Sequence, residues 1–453
     1  MELDCTRIGR SHPFSLIPPP AVLYTSRHVP QHGPGMQSTR LPNGLRLVVN
    51  ELPHTRSATV SVYVGAGSRY ESDEQAGLSH FLEHMLFKGA SRRPTAKEIS
   101  EAIESVGGLH TAATDREVTV YYAKVPHGAA AVTIDILADM IRAPVMDPVE
   151  LEKERHVILE ELASVEDSPG ELAGILIDET VWPHQPLGRN VGGTPESVRA
   201  LPLDDIVAYF HRQYVPSNIV LAVAGNVRND EIVDVAHRWL SDLPAAEPGP
   251  WFPVQPESTN GRVAVREKQT EQSHVCIAYP TVPLDHPDRF AVDLLSTLLG
   301  EGMSSRLFLD LREDRALVYD VHSYPSEYRD AGSFTVYAGC DPESMVQTVE
   351  AILDQVDAVA RGGVPQEELE KARAMARGRL QLRMEDTRAV AGWWGSQTLL
   401  LERPLSVDEA VAKIETITTD DLVRVAGEML ARDRARLAVV GPYDDPAPIA
   451  ALL

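Results

Sequence analysis

Apolar and polar positions alternate with two clear periods along the chain, and the period changes mark its elements. Leu45 to Asn50 follows an Asn43-Gly44 turn and Ala58 to Val64 comes soon after; both read as strands. Gly77 to Lys88 carries apolar residues at helical spacing and is stopped by Gly89. Thr95 and Glu98 form a capping box for a helix that runs to the Gly107-Gly108 break. Thr111–Thr114 and Val118–Val125 then read as extended, residues 128–142 and 147–165 as helices, and Ile219–Ala224 as a buried strand.

The first 37 residues lack either period and hold Ile17-Pro18-Pro19-Pro20, so they read as a Pro-rich, flexible extension. Their acids and prolines suit neither a secretory signal nor a transit peptide, and Met36 is a candidate start. Residues 243–262 are dense in Pro, Glu and Gly and read as a semi-stiff linker between parts 38–242 and 263–453. The two parts look like copies. Leu221-Ala222-Val223-Ala224-Gly225 returns as Leu437-Ala438-Val439-Val440-Gly441, and Glu150-Leu151-Glu152-Lys153 as Glu368-Leu369-Glu370-Lys371. The offsets, 216 and 218, nearly agree, which points to an internal duplication.

Composition narrows the function. Forty-two basic against 66 acidic side chains leave a net charge of −24, which argues against nucleic acid as a partner and leaves basic peptides open. No apolar run is long enough to span a membrane. Cys5, Cys276 and Cys340 are too few and too scattered for a disulfide scaffold or a thiolate metal site, which fits a reducing, cytoplasmic setting.

The most specific chemistry lies at His80-Phe81-Leu82-Glu83-His84. Two histidines four apart share one helix face and can share one metal ion, and Glu83 stands near enough to serve a reacting water. This is the zincin motif in reversed order, H-x-x-E-H. A catalytic zinc needs a third protein ligand, for which the helix 147–165 offers Glu150, Glu152, Glu154, Glu160 and Glu161. The second copy acts as an internal control. At an offset of 218, Glu154 falls on Ala372 and Glu161 on Arg379, and at 216 the histidine helix falls near Ser296–Gly300, without His or Glu. One copy carries the metal groups and the other has lost them. No dinucleotide loop, phosphate loop or serine elbow occurs.

With these motifs go Leu41-Pro42-Asn43-Gly44-Leu45, Gly67-Ser68-Arg69, Pro186-Leu187-Gly188-Arg189 and Gly302-Met303-Ser304-Ser305-Arg306-Leu307-Phe308. In these the chain resembles the pitrilysin-type (inverzincin, M16) zinc peptidases, the group of insulin-degrading enzyme and mitochondrial processing peptidase. It is most similar to short bacterial members resembling the processing peptidase β subunit. The resemblance implies an α+β fold of two tandem homologous domains, each an antiparallel sheet with helices packed on one side. It implies a zinc endopeptidase, one Zn2+ per chain, acting on peptides held between the domains. Glu161, with 76 residues between it and His84, becomes the third ligand, Glu154 the additional acid that tunes the site, and Glu83 the proton carrier. Arg312 and Tyr319 inherit the grip on substrate, and Thr111-Ala112 the strand that pairs with it. Family members commonly have Asn where this chain has Thr111, so substrate positioning here is expected to differ. Short members work as dimers; since this chain holds both the metal motif and the Arg/Tyr pair, a homodimer is expected. The rival expectation is an inactive structural or partner subunit, which the family also contains.

Overall fold

The computed structural model describes residues 36–255 and 261–453. In the first half, β1 (Met36–Arg40), β2 (Arg46–Glu51), β3 (Ser57–Val64), β4 (Leu109–Thr114), β5 (Thr119–Pro126) and β6 (Ile219–Gly225) form one sheet. Their order across it is β1-β2-β6-β3-β5-β4. In the second half, β7 (Val263–Glu267), β8 (Ser273–Thr281), β9 (Val318–Glu327), β10 (Gly332–Cys340) and β11 (Arg436–Gly441) form another, in the order β7-β11-β8-β10-β9.

Once β1 is set aside, the two orders match strand for strand, and β2/β6 and β7/β11 are parallel in both. The repeated Leu-Ala-Val segments are β6 and β11, and the repeated Glu-Leu-Glu-Lys segments open the helices Pro148–Glu166 and Gln366–Arg383. The fold is α+β in two homologous domains. Each sheet is antiparallel but for that one parallel pair, and each domain packs its own helices on one side, the other side being covered by a helix from the other half.

The second covering layer is exchanged between the halves. Helix Pro169–Val181 leaves the first half and lays Leu172, Ala173, Ile177 and Val181 against Cys276, Ala278, Ala438 and Val440 of the second sheet. Reciprocally, helix Thr387–Leu400 lays Val390, Ala391, Trp394 and Leu399 against Val48, Tyr63, Val220, Ala222 and Ala224 of the first. This is why β6 is buried at every residue and reads as a continuous apolar run rather than an alternating one. A side chain at Gly395 would put its Cβ 2.3 Å from the Tyr63 ring, so that helix approaches the sheet only because the position is glycine.

The halves are also bolted together near the linker. Arg69 is fully buried. Its Nη1 lies 2.5 Å from Glu117 Oε1, its Nη2 pairs with Asp330 of the second half, and its Nε donates to the Phe252 carbonyl at 3.1 Å. The guanidinium also stacks over Trp251, and Glu117 accepts the Arg329 backbone N–H as well. Glu117 lies in the turn between β4 and β5, so the bolt also steadies β4, which is an edge strand.

Met36 and Gln37, expected in the extension, belong to β1. The rest of the extension, including Cys5, lies outside the described residues, and Cys276 and Cys340 are buried thiols. No helix among the described residues is long and apolar enough to cross a membrane.

Candidate metal centre

Helix Leu78–Leu86 begins where the backbone turns through Gly77, at φ 91°. A side chain there would drive its Cβ to 2.5 Å from the Gly192 carbonyl oxygen. The buried Glu71 carboxylate accepts the Gly77 and Ser79 N–H groups at 2.9 and 2.6 Å, satisfying donors at the positive end of the helix. Burial pushes the Glu71 carboxyl up, and those hydrogen bonds oppose the rise. Phe81, Leu82, Met85 and Leu86 enter the core, which turns His80, Glu83 and His84 to the half-buried opposite side. Facing them, helix Pro148–Glu166 buries Leu151, Ile158 and Leu162 and offers Glu154 and Glu161. Asp147 caps that helix by accepting the Val149 N–H at 2.6 Å, and Pro148 fills its first turn.

The structure brings His80, His84 and Glu161 to one point. His80 Nε2 and His84 Nε2 are 3.3 Å apart, and Glu161 Oε2 lies 3.7 and 3.6 Å from them. Donors bound to one tetrahedral zinc at ~2.0–2.2 Å stand about 3.3–3.6 Å from one another. The donor set therefore fits a zinc ion in spacing and in chemistry. His84 donates its Nδ1–H to Glu154 Oε2 at 3.0 Å, leaving the Nε2 lone pair facing His80 and Glu161. Burial, with His84 nearby, holds the His80 imidazole down to about 4, so at neutral pH it is an uncharged donor.

Glu83 lies beside this cluster. Burial raises its carboxyl above the usual range and the Glu161 charge adds to the rise, while the Thr114 hydroxyl, donating to Oε2 at 2.6 Å, opposes it. Thr114 escaped the sequence reading, although it stands two after Ala112 on the same face of β4. Of the predicted strand pair, Ala112 packs half-buried on the core, and the exposed Thr111 donates its hydroxyl to the Ala112 carbonyl at 3.4 Å. Lys88 also escaped, although it continues the His80, His84 spacing by another four residues; its ammonium is paired with Glu154 at 2.6 Å.

Arg312 and Tyr319 meet each other, the guanidinium lying 5.7 Å from the tyrosine ring and 4.9 Å from that of Phe308. Arg312 sits on a π-helical turn, Phe308–Asp314, and Tyr319, 72% exposed, near the start of the edge strand β9. Among the described residues, no hydrogen bond or ion pair ties either to the histidine cluster. In the second domain Ala372 is buried without polar function, and Arg379 pairs with Glu301. Where the first copy gathers donors for a cation, the second carries its own.

Comparison with known proteins agrees with this division. A family model described as insulinase (peptidase family M16) matches residues 46–195, which hold every candidate metal donor. An uncharacterized zinc protease of Streptomyces coelicolor is 38% identical over 422 residues, 92% of either chain. The chain belongs to peptidase family M16. A second model, the peptidase M16 inactive domain, matches residues 200–376 of this M16 chain, the part with Arg312 and Tyr319. An uncharacterized zinc protease of Bacillus subtilis is 34% identical over 88% of this chain and 97% of its own. Solved structures share the M16 fold. A protease from Helicobacter pylori superposes with a TM-score of 0.85 at 24% identity, over 90% of this chain and 99% of its own. A chain of Complex III2 from Candida albicans gives 0.80 at 20%, over 91% and 97%.

Proposed function

We propose that this M16 chain is a zinc-dependent endopeptidase that hydrolyses peptides or small unfolded polypeptides. The observation that carries the reading is the meeting of His80, His84 and Glu161 at zinc-ligand spacing with the half-buried Glu83 alongside. Those three would hold one Zn2+ per chain, and Glu154 would orient His84. A zinc ion held there supplies Lewis acidity and lowers the pKa of its water toward ~7.

Glu83 is the proton carrier in this reading. It accepts the proton of the attacking water and returns it to the leaving amine, for which a carboxyl raised by burial is better matched than an ordinary one. Thr114 fixes which carboxylate oxygen stays free. The edge strand β4, with Thr111 and Ala112, offers unpaired backbone groups to an extended substrate, which would bind as an added strand. Arg312 and Tyr319 would grip the peptide from the second domain, Tyr319 helping to offset charge on the carbonyl oxygen. Because neither touches the histidine cluster within one chain, a homodimer whose second copy brings them to the cleft suits this arrangement. The acid excess suits basic peptides, and the chemistry suits a cytoplasmic setting.

Glu83→Gln tests the reading. The variant should retain zinc but lose peptide cleavage by about 100-fold or more, and chelation of the parent should abolish activity that zinc restores. If Glu83→Gln cleaves as fast as the parent, the mechanism is wrong; if the zinc-loaded parent cleaves nothing in a peptide library, the chain is a non-catalytic partner subunit.

A further inference from the structure

His80, His84 and Lys88 recur at four-residue intervals, and Lys88 stands just past the end of helix Leu78–Leu86. Its Nζ lies 2.6 Å from Glu154 Oε1, while Glu154 Oε2 accepts His84 Nδ1–H at 3.0 Å. The Glu154 side chain is only 7% exposed. The terminal torsion of a carboxylate is soft, so one contact leaves it free to turn. Two contacts, one on each oxygen, set its plane, and with it the direction in which it pulls the His84 ring. His80 has no comparable support, because its Nδ1 is buried without a partner. Of the two rings, His84 alone is braced from behind.

We propose that Lys88 is a positioning residue of the metal centre: it clamps Glu154, and through Glu154 fixes the tautomer and direction of His84. The assignment rests on the zinc reading above. The competing explanation is that Lys88 only places a cation at the negative end of its helix, which would stabilise the fold without affecting metal binding.

Metal binding to the whole chain, without substrate, separates the two. Zinc affinity is measured by competition with a chromophoric chelator, the ligand geometry by the visible spectrum of the Co2+-loaded protein, and the fold by melting of the metal-free protein. Lys88→Met should weaken zinc about tenfold and shift the Co2+ bands, and Lys88→Arg should restore most of the affinity. In a Glu154→Gln background, Lys88→Met should weaken zinc no further. Should Lys88→Met fail to fold, Lys88→Gln is read by the same measures. Wild-type zinc affinity in the Lys88 variant overturns the proposal, as does an equal loss in the Glu154→Gln background. Parent protein that takes up no zinc, or a His84→Ala variant with undiminished affinity, refutes the metal site itself and the Lys88 assignment with it.

Discussion

Replacing Arg69 with methionine keeps much of its apolar volume and removes the charge. The Glu117 side chain is only 5% exposed, so among the described residues its carboxylate would keep only the Arg329 N–H and that residue's nearby charge. Breaking a buried ion pair from one side costs about 3–5 kcal/mol. The lost bond to Phe252 adds about 1 kcal/mol, and Asp330, partly exposed, adds little because water can replace its partner. A destabilisation of about 5 kcal/mol is expected, read from the urea midpoint at pH 8 by far-ultraviolet circular dichroism. Its pH dependence is a sharper check. Burial already raises the Glu117 carboxyl above its unfolded value, and Arg69 opposes that rise. A carboxyl raised in the fold favours the folded state below its unfolded pKa, and that stability is lost as pH climbs through the folded value. Without Arg69 the folded value rises further, so the deficit should widen from about pH 5 to 8 and, below about 4.3, narrow to the share that does not titrate. Replacing both partners, Arg69→Met with Glu117→Leu, should recover most of the loss. A single variant within 1 kcal/mol of the parent at pH 8, or a deficit that grows on acidification, refutes the reasoning.

Other perturbations reach different parts of the molecule. Thr114→Val should leave zinc content unchanged and lower kcat roughly 10- to 100-fold, since Glu83 loses the contact that holds it; steady-state kinetics beside metal analysis check this. Gly77→Ala should cost at least ~1 kcal/mol in backbone strain alone and push the histidine helix off the Gly192 carbonyl, seen as a lower melting temperature together with weaker zinc binding. Burial and the Glu327 charge raise the Asp293 carboxyl above the usual range. The fold should therefore lose stability as pH climbs above about 4, and Asp293→Asn should flatten that slope in melting curves taken across pH.

The local elements were legible because their signals are local. Thr95 and Glu98 do form the reciprocal cap, and His80 and His84 share a face because four residues make about one turn. Glu161 was different. Six glutamates lie on its helix, five of them candidates, and only the family spacing chose among them, since periodicity says which face a residue takes and not which distant ring it meets. Thr114 and Lys88 carried usable signals, a two-residue step along β4 and a four-residue step beyond His84, but threonine and lysine on such steps are common at surfaces. Helix Pro169–Val181 was not read from the sequence, and even the helical spacing of Leu172, Ala173 and Ile177 does not say that they cover the second sheet and not the first, because a stripe does not name its partner.

That exchange of helices bears on how the molecule can move. Parting the halves would strip Trp394 and its neighbours from one sheet and Ile177 and its neighbours from the other, exposing two apolar faces to water in a single event. The exchanged helices thus tie the two sheets at two faces at once, so a hinge between the halves would have to uncover both, and the two domains hold together as one body.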